Sequence, residues 1–321
     1  YPVPEWLVAL PSEQALIDAT AVVFKVQENA GIDLVADGEL YRFDINHPDT
    51  NGMIDYFVRP LGNVRSQVTR SDLEAFRKMS GMGFRSKPAG VVEGALNEGT
   101  LNLVEDYQRA RALTCAPMKF TVTGPHMLCK TLLDHHYKDR ASLCRALAQV
   151  LAGQVAEIDA EVVQIDEANI PGHPEDAGWA LECINVVLDA VKTDAAVHLC
   201  FGNYGGQTIQ DGTWTKLINF ISGLHCDHVL LEVAHRGNWE LDALREIDPR
   251  IGIGLGVVDI KSNVVETPEA IAKRIEEAVS ALGEGRVRYV NPDCGFWMLK
   301  RSVADRKIRA LVKGRDLFEG R

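Results

Sequence analysis

Four side chains far apart in the chain are of the types that hold a soft divalent metal. His198 and Cys200 form a His-x-Cys pair, Glu232 stands among Leu230, Leu231 and Val233, and Cys294 lies within Asn291-Pro-Asp-Cys-Gly-Phe296. One imidazole and two thiolates suit Zn2+, which favours tetrahedral nitrogen and sulfur sites, and a carboxylate completes such a set. Each piece alone has a plainer reading. A His-x-Cys on a strand is more often core packing, Cys294 reads as a buried thiol, and Glu232 as the ion-pair partner of Arg236 or His235. Position raises the set above its parts. Residues i and i+2 of a strand point the same way, so His198 and Cys200 face together. All four residues fall at the C-terminal ends of segments that read as strands.

Those segments define the architecture. Short β-branched runs occupy 32–39, 119–125, 161–167, 196–202, 228–234, 251–259 and 287–295. Between them lie stretches with 3.6-residue apolar periodicity, such as 141–159 and 267–282, the second opening Thr267-Pro268-Glu269 with a capping residue and a proline at the first helical position. Strands alternating with helices imply parallel βαβ units. Seven strands favour a (β/α)8 TIM barrel over an open doubly wound sheet, with the opening strand expected just before Tyr1. No glycine-rich nucleotide loop follows any strand, and Gly252-Ile-Gly254-Leu-Gly256 lies inside one, where close backbone packing explains it. A single barrel domain spans 1–321, with a long excursion after the second strand at 40–112 expected to form a lid or hairpin over the mouth. That excursion carries a turn at 46–52, an apolar patch at Ile54 to Phe57 and a charged helical piece near Asp72 to Lys78.

Composition narrows the partners. A net charge of −11 disfavours nucleic acid and anionic membranes, which need a basic surface. No apolar run reaches the roughly 20 residues that span a bilayer. Seven cysteines, an odd number without secreted-domain spacing, read as free thiols in a reducing compartment, so a cytoplasmic protein is expected.

At these residues the chain resembles the cobalamin-independent methionine synthase family, whose catalytic domain is a zinc-bearing (β/α)8 barrel. The matching segments are Asp37-Gly-Glu39, Gln164-Ile-Asp-Glu167, His198-Leu-Cys200-Phe-Gly, Glu232, Val257-Val-Asp-Ile-Lys-Ser262 and Asn291-Pro-Asp-Cys294-Gly, in family order over nearly the whole chain. The resemblance implies that His198, Cys200, Glu232 and Cys294 ligate zinc. It also implies that Glu39 and Asp166, with Glu167 beside them, grip the ammonium of a homocysteine-like thiol. The bland reading of these acids is a helix cap or an arginine pair. The chain departs from the family in three respects. The Gly-Ser turn of the first strand would fall upstream of Tyr1, and Lys261 stands where full-length two-domain members carry a histidine that protonates the leaving group. Gly202 to Trp214 is also longer than the usual loop.

The implied chemistry is S-alkylation. A free thiol is only a few per cent ionised at pH 7, and zinc removes its proton. The thiolate then attacks an alkyl carbon while an acid protonates the leaving atom; Lys261, His235 and His126 are the candidate acids, and Trp214, Phe296 and Trp297 a candidate wall for the donor. The expected partners are a small thiol, homocysteine or coenzyme M, and an alkyl donor, with no nucleic acid or membrane and a homo-oligomer left open. The nearest alternative is an epoxyalkane:coenzyme M transferase, whose sulfonate needs a basic anchor such as Arg42 or Arg236. A non-catalytic zinc subunit serving a corrinoid protein and a decarboxylase of the wider superfamily are the more distant readings.

Overall fold

The computed structural model describes residues 1–42, 51–79, 85–203, 208 and 212–321. Seven strands run parallel in chain order: β1 (Val35–Ala36), β2 (Met118–Thr123), β3 (Val162–Glu167), β4 (Asp194–Leu199), β5 (His228–Leu231), β6 (Gly252–Val258) and β7 (Val287–Pro292), each hydrogen-bonded to the next. All seven coincide with the runs read from the sequence. Every parallel crossover needs a helix or long connection, which fixes the layering. The main helices are α1 (Glu13–Ala30), α2 (Leu103–Arg111), α3 (Arg140–Val155), α4 (Ala177–Leu188), α5 (Ile218–Ser222), α6 (Leu241–Leu244), α7 (Pro268–Leu282) and α8 (Arg301–Glu319).

Side-chain alternation shows how the sheet curls. Phe120, Val163, Val197, Val229, Ile253 and Leu255 join one large core beneath the helices, whereas Val162, Ala196 and Leu230 form a separate small cluster with Leu34 on the concave face. Successive residues of a strand point to opposite faces, so one set packs on helices and the other lines the hollow. The sheet is therefore a curled, half-barrel layer. Among the described residues β7 and β1 are not hydrogen-bonded to each other, so seven of the eight expected strands are seen and closure is not.

Local sequence explains the pieces that matter. In β6 the glycines take the concave positions; a Cβ on Gly256 would meet Asp293 Oδ1 at 2.0 Å, so only glycine lets the β7 end lie across it. Thr267 Oγ1 accepts from Ala270 N and starts α7, whose Ile271, Ile275, Ala278 and Leu282 form the buried stripe. Between β1 and β2 the chain forms an antiparallel pair, Gly62–Arg65 with Val91–Asn97, joined by the helix Arg70–Arg77 behind a Thr69 capping box. Val91–Asn97 also pairs in parallel with Leu133–Asp134, making a second sheet of three strands. Most of the 46–52 turn, and residues 204–207 and 209–211 of the long loop, lie outside the described residues. Among the described residues no helix is long and apolar enough to cross a membrane.

Candidate metal centre at the strand ends

Three of the four expected ligands meet. His198, Cys200 and Cys294 each offer a donor atom, all within 4.8 Å of one another. His198 Nδ1 lies 3.2 Å from the Leu230 carbonyl, which can only accept, so Nδ1 carries the proton in the neutral ring. Its Nε2 lone pair then faces Cys294 Sγ, 3.2 Å away. A backbone carbonyl that fixes the tautomer is the usual support of a metal-binding histidine. The donor set of one nitrogen and two sulfurs fits zinc in chemistry and in spacing.

Electrostatics within the cluster agree. The hydrogen bond from Cys294 holds the Cys200 thiol well below its ordinary pKa, against burial and with help from His198. That bond, and then burial, push Cys294 up, so the two sulfurs share one thiolate. Burial opposes charge on His198, but the Cys200 thiolate outweighs it and raises the imidazole to about 9. A thiolate beside an imidazole of this kind is chemically able to exchange its proton for a metal cation.

Glu232 lies outside the group of three donors. Its Oε1 is 2.5 Å from Lys261 Nζ, and its Oε2 accepts from Phe201 N at 3.1 Å. Lys261 Nζ also donates to Thr208 Oγ1 at 3.0 Å. Both partners are almost fully buried. Trp214 belongs to this support rather than to an open wall: it is completely buried and its Nε1 donates to the Glu232 carbonyl. Phe296 is buried too, while Trp297 is partly exposed.

A second, carboxylate-rich half adjoins the donors. Asp166 is the register partner of His198 on the neighbouring strand and accepts from Gln164 Nε2 at 2.6 Å. Burial, then the charge of Glu39, push its carboxyl up to about 6 although His198 opposes this. Glu39 sits in the left-handed region (φ 58°) right after Gly38 (φ 76°), a tight turn that brings its carboxylate over β2. There Thr121 Oγ1 donates to Glu39 Oε1 at 2.5 Å and the Arg42 guanidinium lies 3.5 Å from Oε2. Burial raises Glu39, but Arg42 and Thr121 bring it below the ordinary carboxylate range.

Four candidates fall elsewhere in the chemistry. Arg42 is buried among the rings of Tyr41, Tyr56, Phe57 and Phe120, with centroids 5.2–5.6 Å away, and donates to the Thr121 hydroxyl and carbonyl. Glu167 is fully buried and accepts from the His126 and Met127 backbone N–H groups, capping the helical turn Pro125–Thr131; a Cβ on Gly124 would collide with its Oε1 at 2.1 Å. His126 is enclosed with it, its Nε2 3.0 Å from Asp176 Oδ2 and its ring 5.1 Å from that of Trp179. His235 is exposed, 3.2 Å from Asp259, and its backbone N–H donates to Asp293. Of the three candidate acids, only Lys261 touches a member of the expected ligand set.

Several contributors escaped the sequence reading. Asp293 accepts from the backbone N–H groups of Val233, Ala234 and His235 at 2.7–2.9 Å, tying the Cys294 loop to the residues after Glu232. Lys119 is the cation whose charge reaches both Glu39 and Asp166. The alternation Lys119-Phe-Thr121-Val-Thr123 contained the signal, since it sets a polar face toward the hollow.

A curled parallel α/β sheet with its reactive side chains gathered at the C-terminal strand ends is the build of an enzyme. The sequence model of the family described as cobalamin-independent synthase, catalytic domain, matches residues 8–315, and the chain belongs to that family. A methionine synthase of Thermococcus kodakarensis is 27% identical over 333 residues, covering 99% of this chain and 90% of that protein. A protein of Xanthobacter autotrophicus named 2-hydroxypropyl-CoM lyase is 28% identical over 340 residues, 94% of this chain and 85% of its own. The solved structure of a B12-independent methionine synthase from Shewanella sp. W3-18-1, in complex with selenomethionine, superposes with a TM-score of 0.80 over 97% of this chain and 90% of its own. At 22% identity that likeness speaks for the fold.

Proposed function

We propose that this enzyme transfers a methyl or other alkyl group to the sulfur of a small amino-acid thiol of the homocysteine type, with zinc held by His198, Cys200 and Cys294. The observation that carries the reading is the convergence of these three donors within 4.8 Å, beside a buried pair of carboxylates. Zinc, when bound, keeps a thiol ionised at neutral pH. The chain's own residues do the rest. The Leu230 carbonyl fixes His198 as an Nε2 donor, and Asp293 holds the Cys294 loop against the end of β5. Glu39 and Asp166 receive the substrate's ammonium: two carboxylates that interact in a buried site gain most from a cation. Lys261 is the acid for the leaving atom, supported by its burial beside Glu232, where His126 is enclosed and His235 lies at the rim.

The Xanthobacter relative favours a second acceptor, coenzyme M, with an epoxide as electrophile. Its sulfonate needs a free basic group. Arg42 is already engaged by Thr121 and Glu39, and Arg236 by Glu240 and the Gly212 carbonyl, which argues for the amino-acid thiol. The test incubates zinc-loaded protein with homocysteine or coenzyme M, each with methyltetrahydrofolate, methylcobalamin or a small epoxide, and follows thioether by mass spectrometry. Methionine formation is expected; product from coenzyme M and epoxide alone overturns the assignment. Separately, Cys294→Ser should lose most bound zinc by elemental analysis, and full retention refutes the ligand set.

A further inference from the structure

We infer that Lys307, buried in α8, is a positioning residue for the acid Lys261: it clamps the loop after β6 and so fixes where the Lys261 ammonium stands. This rests on the reading of Lys261 given above and adds to it a residue on the last helix.

The Lys307 ammonium is wholly engaged by that loop. Its Nζ donates to the Asp259 carbonyl at 2.8 Å, to the Val264 carbonyl at 2.5 Å and to Glu266 Oε2 at 2.8 Å. These acceptors come from both ends of the segment 259–266, so one cation closes the segment on itself. Glu266 completes the closure from its other oxygen, where Oε1 accepts from Asp259 N at 2.8 Å. Asp259 Oδ1 in turn accepts from Lys261 N, also at 2.8 Å. Ile260, between the two, is buried in the main core. Lys307 is thus joined to Lys261 by short hydrogen-bonded links through Asp259 and Glu266. From this held backbone the Lys261 side chain reaches Glu232 Oε1 at 2.5 Å and Thr208 Oγ1 at 3.0 Å.

The choice of a lysine is informative. The Lys307 side chain is fully buried and that of Glu266 is 10% exposed, so the pair gives up hydration for an attraction that does little more than offset the loss. Apolar packing would hold a loop about as firmly. What three directed hydrogen bonds add is geometry, and a proton donor depends on geometry: a misplacement of about 1 Å can lower a rate about a hundredfold.

The test uses the zinc-loaded full chain with homocysteine and either methyltetrahydrofolate or methylcobalamin, and compares Lys307→Met, Lys261→Met and both together. Lys307→Met is expected to lower kcat at least about tenfold with the KM for homocysteine nearly unchanged. In the Lys261→Met background it should add nothing, because both changes act through one group. Hydrogen exchange gives a readout independent of turnover: the Asp259 and Lys261 amides should lose protection in Lys307→Met while those of β3 and β4 keep theirs. Should the single variant unfold, Lys307→Met with Glu266→Gln buries no unpaired charge and carries the same expectations. Additive losses in kcat, or unchanged exchange at those two amides, overturn the inference and leave the acid assignment standing. A parental kcat in Lys261→Met removes the acid assignment and the inference with it.

Discussion

The two halves of the strand-end site are built on opposite principles. Across β4, β5 and β7, neutral or soft donors converge and their own charges are unresolved: one thiolate shared by two sulfurs, and a histidine driven up to about 9 by it. Across β1 to β3 the groups are hard and mostly satisfied, with Glu39 held by Thr121 and Arg42 and Asp166 by Gln164. The first half could hold a cation at a point; the second sets two interacting carboxylates side by side, suited to a diffuse cation such as an ammonium. A metal and an amino-acid thiol would each complete the half that needs it.

The largest test of this division is metal binding. Cys200→Ser should weaken zinc by about a thousandfold or more, since thiolate is the softest ligand available, whereas Glu39→Gln should leave zinc within about threefold. Equal effects, read by chelator competition, would dissolve the distinction between the halves.

Next in size is the loop that delivers Lys261. Lys307 is fully buried with three oxygen partners, so Lys307→Met strands Glu266 and two carbonyls and should cost about 3 kcal/mol in urea unfolding. It should also loosen Lys261. A stability loss below about 0.5 kcal/mol would show that the latch carries no load.

Much of this was legible in the sequence, and the limits are physical. Strand alternation set His198 and Cys200 on one face, and every strand of the parallel sheet fell where β-branched runs predicted, whereas the three strands of the second sheet were not read as strands. Glu232 was read correctly as a strand-end residue, yet its partner lies 29 positions on, and nothing in local spacing tells a carboxylate whether it meets a metal or a lysine. Lys307 carries no signal in the sequence; only the fold aims it at the carbonyls of a distant loop. His126, named only as a candidate acid, is buried for a reason that spacing does not show. A residue after a strand-end Gly-Pro turn should face the mouth, but Gly124 lets Glu167 approach and cap the helical turn, drawing His126 under cover.

That buried histidine supplies the third test, within the carboxylate half. Burial disfavours its charge, but hydrogen bonds to Asp176 and Glu167 prevail and lift it from its ordinary value to about 9. A raised folded-state pKa stabilises fully below the unfolded value, and the benefit fades as pH rises through the folded one. Stability should therefore fall by about 2 kcal/mol between pH 7 and 9, and His126→Gln should flatten that slope. A wild-type profile that is already flat over this interval would mean the ring is neutral.

The smallest effect is the most specific. Asp166→Asn removes one of the two interacting carboxylates but keeps the Gln164 contact and the strand, so the metal half should be intact and zinc content unchanged. With homocysteine, KM should rise about tenfold, roughly 1.4 kcal/mol, with kcat little altered, since an ammonium contact present in both ground and transition states affects binding alone. A thiol without an ammonium, such as coenzyme M, should be indifferent to the substitution or improved by it, because a sulfonate is repelled by the same carboxylate. If both thiols lose equally, Asp166 serves the metal half through its neighbour His198, and the carboxylates cannot be what selects the substrate.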